Sequence, residues 1–149
     1  MKYFQANSFL TDDELLRISK KIREKELLTD GEIILSIRLN KPMFYNKGGV
    51  QKLAEKQCNA VKKLGDGSYP IVVLYFLAET REFSIFADRE INGLNTETIS
   101  SSINQFFKDG DFCNGLLSVI DEIAQPLIAQ YPCSGSTMNK ISNKVLLQK

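Results

Sequence analysis

The chain has carboxylates available for chemistry but no imidazole: eighteen Asp and Glu residues and no histidine. Ser-His-Asp and Cys-His machinery is therefore excluded, as are histidine metal ligands and histidine general bases. Chemistry here must run on carboxylates, lysine, tyrosine, thiols or hydroxyls. A metal would be a hard cation held by oxygen, that is calcium, magnesium or manganese. The most compact acidic motif is Asp109-Gly110-Asp111, within FFKDGDFCNG. Asp-Gly-Asp serves either as a cation-binding loop or as a turn between helices. The EF-hand pattern fails, because Cys113 stands where a third oxygen ligand belongs and Ile120 where the bidentate glutamate belongs. Gly110 suits a helix C-terminus and Asp111 the N-cap of the next helix, so the turn is favoured. A second acidic set, Glu32, Asp66 and Asp88, is scattered in sequence, and only the fold could bring it together. A third motif, NKGGV over 46–50, offers backbone N–H groups to an anion at a helix start, too short a signal to carry a site alone.

The elements that must position these residues follow from periodicity and punctuation. LTDDELL reads as a helix start with Thr11 as N-cap, Glu14 completing a capping box, and Leu10 and Leu15 at the staple positions. Leu15, Ile18 and Ile22 carry that helix to about Leu28, where TDG stops it. EIILSIRL, 32–39, is a strand. Val50, Leu53, Ala54, Val61 and Leu64 define a second helix, broken by GDGSYP. Residues 71–77 and 83–87 are two strands joined through AETRE as a hairpin. Asn95 or Thr96 caps a third helix with Ile99, Ile103, Phe106 and Phe107 inward. A fourth turns Leu116, Val119, Ile120, Ile123 and Leu127 inward, and Pro126 within it predicts a kink or a broken last turn. The segment after Pro132 is polar and weakly patterned: either a loose tail or one more strand through NKVLL. The order αβαββαα gives an α/β fold, a three-layer α/β/α sandwich with a small mixed sheet and helices on both faces. Residues 1–132 read as one domain and 133–149 as a polar C-terminal tail.

Topology then brings the scattered acids to one place. Two strands joined through a helix lie parallel by a right-handed crossover, so their starting ends share a rim. The hairpin is antiparallel and returns Asp88 to the neighbourhood of Ile71. Glu32 opens the first strand, Asp66 precedes the second and Asp88 follows the third. Three converging carboxylates with no cation nearby would repel one another, and a divalent cation would relieve that. The opposite reading is equally concrete: strand ends are where acids sit solvated and idle, and open α/β sheets bind ligands at the other rim. Arg89 is the nearest cation to this rim and Ser68 the nearest hydroxyl.

Bulk composition narrows the setting. A length of 149 residues is that of one domain, and 43% hydrophobic with 25% charged content is ordinary for a globular chain. A net charge of +1 gives no long-range pull toward nucleic acid or an anionic membrane. The longest apolar run, IVVLYFLA, makes a buried strand and not a membrane span, and the N-terminus lacks an apolar stretch of signal-peptide length. A cytoplasmic monomer is expected. Cys58, Cys113 and Cys133 form no CxxC pair, which argues against zinc, and each is expected as a reduced thiol packed as a small hydrophobe.

Several stretches together resemble the TPM domain family, which includes thylakoid-lumen proteins of photosystem II repair and many bacterial proteins. They are FLTDDELLRISKKIREKELLTDGEI, the hairpin ending FSIFADREING, INQFFKDGDFCNGLLSVIDEIAQPL and the closing AQYP. The resemblance spans about residues 8–132 and implies an α/β/α sandwich with an acidic cleft for calcium or another divalent cation. It also implies weak acid phosphatase activity in some members. Carried over by residue, Glu32 matches the acid of the family's GE at the first strand, Asp88 the acid closing the hairpin, and Asp66 an acidic turn before it. This chain departs from the pattern at that turn, which reads DGSYP. Asp109 and Asp111 match the family's helix–helix turn.

Two functions follow as expectations. One is a divalent-cation-binding domain, with Ca²⁺ or Mg²⁺ held by Glu32, Asp66 and Asp88, that hydrolyses phosphomonoesters weakly. The other is a non-catalytic module for a protein partner, in which the cation only orders loops. No nucleophile is apparent, which favours the second.

Overall fold

The computed structural model describes residues 10–46, 48–65, 67–135 and 145–148. Helix α1 (Asp12–Glu26) begins at a complete capping box: the Glu14 N–H donates to Thr11 Oγ1 at 3.1 Å, and the Thr11 N–H donates to Glu14 Oε1 at 2.8 Å. It is followed by β1 (Glu32–Arg38), α2 (Val50–Lys62), β2 (Ile71–Leu77), β3 (Glu82–Ala87), α3 (Thr96–Lys108), α4 (Phe112–Gln130) and β4 (Val145–Gln148). The strand order is β3-β2-β1-β4. β1 runs parallel to β2 and β4, and β2 pairs antiparallel with β3. Of the two alternatives for the segment beyond Pro132, a strand is therefore what its last described residues form.

The layers follow from the two-residue alternation of the strands. Ile33, Leu35, Ile37, Val72, Leu74 and Phe76 face α1, α3 and α4 in one core. Ile34, Ile71, Val73 and Tyr75 face α2, with Val50, Ala54, Cys58 and Val61, in a second. The sheet thus has helices on both sides, a three-layer α/β/α arrangement. β1 and β2 are buried almost throughout, as strands covered on both faces must be.

Two details differ from expectation, and a third settles one of two alternatives. Leu64 follows the end of α2, beyond the helical stripe, and is exposed. Cys133 is exposed, whereas Cys58 and Cys113 are buried. α4 runs on through Pro126 to Gln130, so its last turn is not broken. One group went unread at the sequence level. The α1 stripe Leu15, Ile18, Ile22 continues to a buried Glu26, whose carboxylate accepts the Ile33 N–H at 2.9 Å. The turn after α1 is a fastening as well as a stop. Thr29 Oγ1 lies 2.6 Å from the Tyr131 carbonyl and accepts from the Gly31 N–H at 3.0 Å, and the Ser134 N–H donates to Asp30 at 3.0 Å.

Candidate functional site

The rim where β1 and β2 begin brings two of the three acids together. Glu32, the first residue of β1, pairs with Ile71, the first of β2. On the other side of Ile71, Asp88 continues β3: its N–H donates to the Ile71 carbonyl at 3.0 Å, and its Oδ1 accepts the Ile71 N–H at 3.1 Å. Glu32 and Asp88 therefore flank one residue, two strands apart. Alternation turns both toward the α2 face, since Ile34, Ile71 and Phe86 lie on that side. Glu32 is buried. The Asp88 side chain is only 2% exposed. Asp66 lies outside the described residues.

Asp88 has a cationic partner, which changes the electrostatics expected of this rim. Arg89 Nε donates to Asp88 Oδ1 at 3.1 Å and Nη2 to Oδ2 at 3.0 Å, a two-pronged ion pair. The same guanidinium reaches the carbonyls of Gly67 (3.1 Å), Ser68 (3.4 Å) and Tyr69 (3.2 Å). Hydrogen bonding to Asp88 raises the Arg89 pKa, outweighing the opposing effect of burial. The premise of carboxylates with no cation nearby therefore does not hold at Asp88. Beneath the rim, burial first and the Asp88 charge second push the Cys58 thiol up to about 11. It stays protonated and unreactive near neutral pH.

The donors present match a hard cation in kind, being carboxylate oxygens on one face. They fall short in number: among the described residues no three His, Cys, Asp or Glu side chains stand together as a metal-holding group. An open groove of about 420 Å³ adjoins the rim beside the edge strand β3, lined by Ile85, Ala87, Arg89, Ile91, Leu94 and Thr96, among others.

The other two acidic or anion-binding candidates turn out to be structural. Gly110 takes φ +78°, Asp111 caps α4 by accepting from the Asn114 N–H at 3.4 Å, and Asp109 closes α3. The 109–111 stretch is thus a helix–helix turn. In NKGGV the anion is the protein's own: the Gly48 N–H donates to Glu82 Oε2 at 2.9 Å, and the Tyr45 hydroxyl donates to Glu82 Oε1 at 2.9 Å. Burial first, then Glu82, pushes the Tyr45 phenol up to about 12.

The geometry defines an α/β/α sandwich with an acidic rim braced by arginine. No family model matches the chain, and no curated protein matches it significantly. Among solved structures it is similar to the NMR structure of the BA42 protein from the psychrophilic bacterium Bizionia argentinensis, with a TM-score of 0.77 and 24% identity, covering 95% of this chain and 97% of that one. At that identity the likeness establishes the fold.

Proposed function

We propose that the chain is a TPM-type domain acting as a non-catalytic binding module, whose rim of Glu32, Asp66 and Asp88 takes a divalent cation, Ca²⁺ or Mg²⁺, that orders the loop before β2. The observation that carries this is that Glu32 and Asp88 flank Ile71 on one face of the rim, both largely removed from solvent. Arg89 joins Asp88 to the carbonyls of Gly67, Ser68 and Tyr69, which fixes residues 67–69 beside this rim. The fold and the stretches that resemble the TPM family support the family assignment. Oxygen-only donors suit a hard cation.

Binding stands ahead of hydrolysis because the guanidinium that a phosphate would need is engaged by Asp88 and three carbonyls. Titration with Ca²⁺ and Mg²⁺ tests the reading: saturable binding that Asp88→Asn abolishes supports it, and the absence of saturable binding refutes it. Saturable, metal-dependent turnover of a phosphomonoester that Asp88→Asn removes would return the hydrolytic reading.

A further inference from the structure

β4 is held differently from the strands beside it. β1 and β2 are buried nearly throughout, whereas Val145, Leu146 and Leu147 are each half-buried. Val145 and Leu147 pack against the core of α1, α3 and α4, and Leu146 against the core of α2. The pairing covers Leu35 to Arg38, the second half of β1. Parity shows which backbone groups it uses. The Glu32 N–H donates to the Pro70 carbonyl, and the Arg38 carbonyl accepts from the Ala78 N–H. Even-numbered residues of β1 therefore turn to β2, and Leu35 and Ile37 turn to β4. Ile33, on the same side but before the start of the pairing, gives its N–H to the Glu26 carboxylate instead, at 2.9 Å.

The fold is fastened before the chain reaches β4. The Asp30 N–H donates to the Tyr131 carbonyl at 2.9 Å, and the Cys133 N–H to the Leu28 carbonyl at 3.1 Å. The Ser134 N–H donates to Asp30 Oδ1 at 3.0 Å. α4 is thus anchored to the α1–β1 turn whether or not β4 is paired. Nine residues of sequence separate Gly135 from Val145, a length that spans about 30 Å when extended.

We propose that β4 opens without the rest of the fold, and that two copies of the chain exchange this strand, each placing its Val145–Gln148 on the β1 edge of the other. The edge selects its occupant. Opening leaves the outward backbone groups of Leu35 and Ile37 without their ladder, and an extended strand restores it. Both helical layers must also be met, by two apolar side chains on one face and one on the other. The segment seen to satisfy all of this is Val-Leu-Leu-Gln of this chain, and a second copy supplies it in the same register. Reciprocal exchange closes both β1 edges about a two-fold axis. In dilute solution each copy keeps its own strand, because tethering holds it at an effective concentration on the order of 1 mM. The proposal is independent of the cation reading, which concerns the other half of β1.

Three measurements test it. In native-state hydrogen exchange on the full chain, the Ile37 amide should exchange about tenfold or more faster than the Ser36 amide, its neighbour facing β2. Leu146→Asp combined with Leu147→Asp should free the edge while circular dichroism stays that of a folded chain. A labelled peptide of residues 143–149, NKVLLQK, should then bind this variant about tenfold or more tighter than the parent, whose own strand competes. The same peptide with both leucines changed to aspartate should not bind. The parent, concentrated in urea below its unfolding midpoint and returned to buffer, should sediment in part as a dimer, and the double variant as a monomer. Equal exchange at Ile37 and Ser36, unfolding of the double variant, or its failure to bind the peptide overturns the proposal. A parent that stays monomeric, or a dimer formed equally by the double variant, overturns it as well.

Discussion

Replacing Arg89 with alanine leaves Asp88 as a carboxylate that is 2% exposed, with the Ile71 N–H at 3.1 Å still donating to it. Removing one partner of a buried ion pair costs about 3–5 kcal/mol. The Arg89 side chain is 33% exposed, so water can reach part of the vacated space and the cost falls to about 2–3 kcal/mol. For a chain of this length that lowers Tm by about 5–10 °C. Urea unfolding followed by circular dichroism measures the loss, with the m-value unchanged. Asp88→Asn should soften it: in a double-mutant cycle the two changes should cost about 1–2 kcal/mol less together than their sum, because the stranded charge is gone. If the rim takes a divalent cation, Ca²⁺ should stabilise Arg89→Ala more than the parent, by an amount that grows with concentration. Should Arg89→Ala lie within about 0.5 kcal/mol of the parent, the fork is a surface pair of no consequence, and the bracing argument fails.

Four further outcomes are expected. Asp111→Ala should cost about 0.5–2 kcal/mol as a lost N-cap, read by urea unfolding, with cation affinity unchanged. In the native protein a thiol reagent should label Cys133 fast and Cys58 and Cys113 only on unfolding, since the last two are buried. The raised Cys58 pKa favours the neutral thiol in the folded state, so its contribution is whole below about pH 9 and is lost as pH rises toward about 11; unfolding midpoints measured across that window should fall. On the surface, Lys21 at 3.0 Å and Lys25 at 3.2 Å join α1 to Asp121 of α4 and, against the effect of burial, hold its carboxyl below the usual range. That stability is present above the ordinary carboxylate pKa and lost in acid; with Asp121 42% exposed, Asp121→Asn should cost at most about 1 kcal/mol at neutral pH and less in high salt.

The fold was legible where local chemistry and periodicity agreed. The capping box at Thr11, the β-branched run of β1 and the apolar run of β2 each admit one element, and a helix between two strands admits one handedness. The register that sets Glu32 and Asp88 on either side of Ile71 followed from those directions alone. Bonds between residues far apart in sequence were not legible. Nothing local marks Arg89 as the partner of Gly67, Ser68 and Tyr69, or Glu82 as the anion for Tyr45 and Gly48. Glu26 did leave a signal, since it continues the helical stripe of Ile18 and Ile22, but a buried carboxylate is identified only through its partner, the Ile33 N–H. Leu64 was misplaced because α2 ends at Lys62 with Lys63 as its C-cap, so the helical stripe stops before reaching it.

The account rests on cation binding at the Glu32, Asp66 and Asp88 rim, and a calcium and magnesium titration followed by backbone amide NMR shifts tests it most directly. The expected result is a saturable set of shifts at Glu32, at 67–71 and at Asp88-Arg89, lost in Asp88→Asn and retained in Glu79→Ala, whose carboxylate serves the loop at the other end of the sheet. Shifts that never saturate, that centre on Asp109–Asp111, or that persist unchanged in Asp88→Asn would contradict it.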